Sequence, residues 1–218
     1  MMFANRADAG RQLAAVLRSR AFLDPVVIGI VRGGVPVAAE IARALQAPLD
    51  ICIVRSIIGR ASPRVVIGAV AEGGAMYLNP AKTARLGLGD EECERLVAEQ
   101  MSEVDRLSTL LRDRAPLDLR GRNVILVDDG MVTGSTVRAA IRSVRRSART
   151  VELAIAVGEV EVIERIRPFV DRLHCLIKAP ALSAVGARFD SFDAVSEVEI
   201  ANMLARRRPI IGRRLEAH

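Results

Sequence analysis

VILVDDGMVTGST, residues 124–136, joins an apolar β-branched run to two acids, a glycine-bearing turn and three hydroxyl side chains. The run from Asn123 to Val127 reads as a buried strand, DDGMVTG as a loop, and STVRAAIRSVRRS as the following helix. At a strand end such a loop makes a phosphate cradle from Gly130, Met131, Val132, Thr133, Gly134, Ser135 and Thr136. Gly134 lets the backbone turn without a Cβ, and Thr133, Ser135 and Thr136 offer hydroxyls. The amides sit at a helix N-terminus, whose dipole favours an anion. Asp128 and Asp129 would repel that anion, so they suit another part of the same ligand. Vicinal hydroxyls fit them, because each can donate to a carboxylate oxygen. A sugar with a phosphate at one end and a diol on its ring meets both requirements. The chain lacks the Gly-Lys-Ser/Thr of a triphosphate-hydrolysing P-loop.

Outward from this stretch, apolar runs and amphipathic segments alternate. Residues 7–19 read as a helix with Leu13, Val16 and Leu17 on one face, and VVIGIV after Pro25 as a strand. RGG (Arg32, Gly33, Gly34) breaks that strand before a helix with Pro36 in its first turn. LDICIV, residues 49–54, reads as a second strand. Between 55 and 80 the pattern loosens into an expected mobile loop and hairpin. Residues 90–114 fit a long amphipathic helix with acids in its first turn. TVELAIAV, VEVIERIR and RLHCLIKA follow as strand, short helix and strand. Ser196 and Glu199 form a capping box for a last helix over 197–207. The expected architecture is α/β: a mainly parallel five-stranded sheet with helices on both faces, one domain over 1–218, and a small C-terminal hood at about 180–218. Ligands of such sheets lie beyond the carboxyl ends of the strands. That rule brings RGG beside DDGMVTGST.

Composition narrows the partners. Half of the 218 residues are hydrophobic and only 3% are aromatic, with Tyr77 the one tyrosine and no tryptophan. Few rings remain to stack on bases, so single-stranded nucleic acid fits poorly. The net charge of +6 is carried almost wholly by arginine, with Lys82 and Lys178 the two lysines. Guanidinium groups pair bidentately with phosphate oxygens, which suits an anionic ligand and leaves RNA or DNA open. Arg206, Arg207, Arg208, Arg213 and Arg214 form the densest basic group and read most simply as a solvated helix end. Cys52, Cys93 and Cys175 are far apart without a CxxC pair, so they read as reduced thiols in a cytoplasmic protein rather than as a disulfide frame or zinc site. No apolar stretch is long enough to span a bilayer, so no membrane is expected. His174, on an apolar strand, reads as a satisfied core residue. Asp8, Asp90 and Asp118 read as caps or loop acids.

The acid pair followed by a small-residue loop ending in T-G-x-T, after an apolar strand, resembles the phosphoribosyl-pyrophosphate motif of type I phosphoribosyltransferases. VIGIVRGGVPVAAEIARAL resembles the pyrophosphate loop of that family. FANRADAGRQLAAVL, LDICIVR, IGAVAEGG, GRNVILVDDG and AVGARFDSF extend the likeness to a branch of predicted bacterial phosphoribosyltransferases whose acceptor is unassigned. The resemblance implies that Asp128 and Asp129 bind the ribose 2′- and 3′-hydroxyls and serve catalysis, and that residues 130–136 bind the 5′-phosphate. It implies that Arg32, Gly33, Gly34 and Arg55 hold pyrophosphate. The implied reaction moves phosphoribose from phosphoribosyl pyrophosphate to a nitrogenous acceptor. Mg²⁺ would be held largely by the ligand's oxygens, with Asp128 or Asp129 as the protein's candidate contributors. Purine-salvage members place an Asp where this chain has Val132, so no general base is assigned. The branch usually reads Arg-Lys and Pro-Glu where this chain reads Arg55-Ser56 and Pro63-Arg64, and Arg64 is the candidate replacement cation. Aromatics common in the hood are here Ser183 and Arg188, leaving Phe189 and Phe192. These departures set a second expectation beside the enzyme: a non-catalytic regulatory protein that binds phosphoribosyl pyrophosphate or a nucleotide. Homodimer assembly is left open.

Overall fold

The computed structural model describes residues 2–60 and 64–205. In chain order the elements are α1 (Arg6–Arg18), β1 (Pro25–Ile30), α2 (Gly34–Leu45), β2 (Leu49–Cys52), β3 (Val54–Gly59), β4 (Val65–Ala71), β5 (Ala75–Leu78), α3 (Pro80–Arg85), α4 (Asp90–Leu111), β6 (Asn123–Met131), α5 (Ser135–Arg145), β7 (Thr150–Glu159), α6 (Val160–Ile166), β8 (Arg172–Ala179) and α7 (Glu197–Ala205). Five strands pair in the order β2-β1-β6-β7-β8, parallel at every junction. This is the parallel α/β sheet expected from the alternating pattern. The runs of β6 and β7 are apolar on both faces because both faces are covered. One apolar layer holds Leu13, Leu17, Ile41, Val27 and Ile125, and the other holds Val26, Leu126, Ile141, Leu153 and Ile163.

The direction of the crossovers fixes where the site lies. After β1 the chain returns through α2 to β2 on one side, and after β6 it returns through α5 to β7 on the other. The crevice between the ends of β1 and β6 is therefore the switch point where a ligand fits. RGG leaves the end of β1 and the 130–136 segment leaves the end of β6.

Several elements differ from the sequence reading. Residues 49–54 do not form one strand: the ladder of β2 ends at Cys52, and β3 starts at Val54 in a separate antiparallel sheet, β3-β4-β5. The expected loop and hairpin at 55–80 are thus largely ordered strand, with α3 after them. Strand β6 runs past Val127 through Asp128 and Asp129 to Met131, so the acid pair stands on the strand and not in the loop. In α1 the inward face is Ala9, Gly10, Leu13, Ala14 and Leu17, whereas Val16 is 44% exposed. Gly10 explains the choice: a Cβ there would lie 2.6 Å from the Val37 carbonyl oxygen, so glycine lets α1 seat on α2. Of the helix expected over 197–207, residues 206 and 207 lie outside the described residues, as do the other C-terminal arginines and Pro63.

The small sheet is tied to the large one by a buried charge cluster. Arg112, just past α4, bonds both Asp50 of β2 and Glu72, which follows β4. Its Nη2 also donates to the Ile51 carbonyl at 2.5 Å. Asp50 accepts from the Leu117 amide at 2.7 Å, and Glu72 from the Ile53 amide at 3.0 Å.

Candidate functional site

Two helix N-termini meet at the switch point. Gly33 caps α2 and Gly134 caps α5, and neither cap offers a side-chain bond to the first helical amides. At α5 the Ser135 amide has only a long bond, 3.4 Å, to Thr133 Oγ1. First-turn amides without side-chain caps suit an anion, although at α2 the Val35 amide already donates to the Arg32 carbonyl at 3.2 Å. Gly134 is left-handed, with φ 74°, and a Cβ there would meet Val162 at 2.9 Å. Conformation and space both require glycine at this turn.

Beneath the α2 terminus lies the acid pair. Gly33 has an ordinary right-handed φ of −64°, so space, not backbone shape, demands its glycine. A Cβ at Gly33 would come 2.0 Å from Asp129 Oδ2, and one at Gly34 would come 2.4 Å from the Val127 carbonyl oxygen. RGG and DDG are therefore packed against each other without room for a methyl group. Asp128 and Asp129 are each only 8% exposed. Burial, then the neighbouring Asp129 charge, pushes the Asp128 carboxyl well above its ordinary range. Burial also raises Asp129, opposed by the Arg6 guanidinium.

Arg6 was not singled out from sequence, yet it is the most direct partner of the pair. Its Nε donates to Asp129 Oδ2 at 2.7 Å, its Nη1 to the Asp193 carbonyl at 2.7 Å, and its guanidinium lies 3.7 Å from the Phe192 ring centroid. A signal did exist: a cation at the first position of α1 opposes the helix dipole and so calls for a partner elsewhere. Asn5 Oδ1 accepts from the Asp8 amide and caps that helix.

The hood closes over the same place. Phe3 packs on Phe189, and Phe189 on Phe192, with centroids 5.2 and 5.0 Å apart. Val185 sits over Gly130, where a Cβ would come within 2.5 Å of its side chain. Val132 packs against this cluster. The capping box is present: the Ser196 amide donates to Glu199 Oε2 at 2.8 Å, and the Glu199 amide to Ser196 Oγ at 3.2 Å. Glu197 on α7 accepts from Arg32 Nη2 at 2.8 Å. Arg32, 42% exposed at its side chain, thus faces the hood.

A cavity of about 730 Å³ opens where β1, β3, α4 and α5 meet, and Val31, Arg55, Arg60, Arg64, Gln100 and Thr136 are on its wall. Arg55 is the best placed of the expected pyrophosphate residues, because its buried Nε has no hydrogen-bond partner. Arg64 stands on the same wall, and Arg60, missed from sequence, joins it. The acid pair is not on this wall; it sits beside it, enclosed by RGG and Arg6. Among the described residues no group of three or more His, Cys, Asp or Glu converges as a metal cage. His174 Nε2 is 2.8 Å from Glu152 Oε2, a satisfied core contact away from the crevice. No described helix is long and apolar enough to cross a membrane.

Comparison with known proteins gives a consistent set of neighbours. The family model described as "Phosphoribosyl transferase domain" matches residues 3–172. "Putative phosphoribosyl transferase Rv0571c" of Mycobacterium tuberculosis is 36% identical over 209 residues, covering 94% of this chain and 47% of that protein. The chain thus spans about half the length of that curated relative. "Bifunctional protein PyrR" of Clostridium novyi is 26% identical over 179 residues, with 81% and 82% of the two chains covered. Among solved structures, TT1426 from Thermus thermophilus superposes with a TM-score of 0.79 at 34% identity, over 95% of this chain and 99% of that one.

Proposed function

Because the chain belongs to the phosphoribosyl transferase domain family, we propose that it moves phosphoribose from phosphoribosyl pyrophosphate to a nitrogenous acceptor and releases pyrophosphate. The observation that carries this reading is the packing of RGG on the acid pair between two uncapped helix N-termini. It supports a reading in which anion sites flank a diol-binding pair.

In this reading the amides of residues 133–136 and the Thr136 hydroxyl hold the 5′-phosphate. Asp128 and Asp129 accept from the ribose hydroxyls, which offsets the desolvation of a buried pair with specific donors. The pyrophosphate lies along the α2 terminus with Arg55, and Arg64 adds positive charge from the cavity wall, where Arg60 is paired with Glu99 at 3.6 Å. As the anomeric bond breaks, negative charge grows on pyrophosphate while the ribose becomes oxocarbenium-like. Fixed cations at the leaving group lower that barrier, and the ribose clamp holds the anomeric carbon in line with the acceptor. Mg²⁺, when bound, would neutralise pyrophosphate oxygens. In this reading the ion is held mainly by the ligand's own oxygens, with Asp128 or Asp129 as contributors. The acceptor would sit under the hood between Val132, Val185 and Phe192, where Val132 gives packing and no proton acceptor. A cytoplasmic setting accords with three free cysteines.

Calorimetric titration of phosphoribosyl pyrophosphate with Mg²⁺, followed by a nucleobase screen for pyrophosphate release, tests this. Binding with release by one acceptor class is the expected result. Binding without release for every acceptor would favour the regulatory reading. No binding by folded protein would sink both.

A further inference from the structure

A second, smaller cavity of about 200 Å³ opens beside the loop between β6 and α5, and it shares no wall residue with the large one. Thr136 faces the large cavity, whereas Val132 and Thr133 line the small one. The rest of the polar wall comes from Tyr77, Asn79, Lys82, Arg138 and Arg165. Three cations from α3, α5 and α6 therefore converge, and the lining contains no carboxylate.

Their charges are not compensated within the protein. Among the described residues none of the three is in an ion pair. Lys82 Nζ donates only to the Val66 carbonyl, at 2.8 Å. The Arg138 guanidinium carbon lies over the rings of Tyr77 and Phe169, 4.4 and 4.1 Å from their centroids, contacts that leave its N–H groups able to donate. Glu164, next to Arg165, is taken by Arg167 at 3.0 Å. Burial, followed by the charges of Arg85 and Arg165, pushes the Lys82 ammonium below its ordinary range. Asn79 Oδ1 accepts from the Lys82 amide, which leaves the Asn79 NH₂ as a further donor.

We propose that this cavity is a second anion site, which takes inorganic phosphate or the phosphate end of a small monoester. Converging cations with amide and hydroxyl donors match phosphate oxygens. A volume worth several waters, at about 30 Å³ each, suits an ion of that size. Through Thr133 its occupant touches the loop assigned to ribose phosphate. The site does not depend on the transferase reading, since its three cations and Asn79 take no part in the proposed transfer; of its wall only Val132 and Thr133 belong to that loop.

Equilibrium dialysis with radiolabelled inorganic phosphate at low ionic strength tests it. The wild-type chain should bind one more phosphate than Lys82→Met with Arg165→Ser: two against one if the ribose-phosphate loop also holds phosphate, one against none if it does not. Arg11→Ser with Arg18→Ser on α1 removes the same charge elsewhere and should leave the wild-type count. Tyr77, the single tyrosine in a chain without tryptophan, gives a local check. Its emission should respond saturably to phosphate, with the midpoint shifted at least tenfold in the Lys82/Arg165 variant. Equal counts in wild type and that variant, with both folded by circular dichroism, would overturn the proposal. An equal loss in the α1 variant would overturn it too.

Discussion

Asp128 carries the larger burden of the buried pair, because it lacks the guanidinium that Arg6 gives to Asp129. Its folded-state pKa is raised, so the native state holds the proton more tightly than the unfolded chain. The stability it contributes is fully present below the unfolded value of about 3.9, and is lost as pH rises through the raised folded value. Asp128→Asn removes this charge, and its amide can donate to Asp129. We expect its melting temperature at pH 8 to exceed wild type by about 2–4 °C, the shift of about 1 kcal/mol in a chain of this size. The gain should vanish near pH 4. The same variant should lose about tenfold or more in affinity for phosphoribosyl pyrophosphate, since hydrogen bonds to a charged group are worth about 1.5–3 kcal/mol. A drop in stability at pH 8 would contradict this account of the pair. Arg55→Met keeps the apolar stem and removes the guanidinium whose buried Nε has no hydrogen-bond partner. It should weaken pyrophosphate binding about tenfold by calorimetry and leave the melting temperature within about 2 °C of wild type.

At the scale of elements, the α2 N-terminus depends on having no side chain at Gly34. Gly34→Ala would press a methyl group onto the Val127 carbonyl oxygen, within 2.4 Å. The resulting backbone shift should cost about 1–3 kcal/mol in urea denaturation and reduce ligand binding further, because it parts RGG from DDG. Sequence alone placed both segments at the carboxyl ends of apolar runs, 26–31 and 124–127, although the strand of the second continues through the acids to Met131. It also found β8 and the Ser196–Glu199 box, whose signals are local. It missed the break at Ile53, because LDICIV stays apolar while the chain leaves one sheet for another. The order in 55–80 was hidden as well: Gly68 sits in β4, where a Cβ would meet the Tyr77 carbonyl oxygen at 2.2 Å, so a glycine that reads as a breaker is a packing requirement. The partners of Arg6 and Glu197 were hidden because they lie 123 and 165 residues away, although the position of Arg6 at a helix start hinted that it needs one.

Across the whole molecule, the two sheets are held together through Arg112, whose side chain is 5% exposed. Arg112→Met would leave Asp50 and Glu72 without their shared cation. Breaking a buried pair in this way costs about 3–5 kcal/mol, read as a lower urea midpoint. The floor of the large cavity, carried by β3, should loosen with it, so ligand affinity should fall as well. The roof is fastened differently. The Phe3 amide donates to the Arg188 carbonyl at 2.9 Å, the Asp190 amide returns to the Phe3 carbonyl, and Arg6 reaches Asp193 across 187 residues. Contacts between such distant parts form late in folding, after loop closure has been completed elsewhere. The crevice is therefore expected to form late and to open early in native fluctuations. Hydrogen exchange should find the amides of Phe3, Asp190 and Ser191 released well before those of β6 and β7. A ligand held beneath that seam would act as a clasp joining the beginning of the described fold to its end.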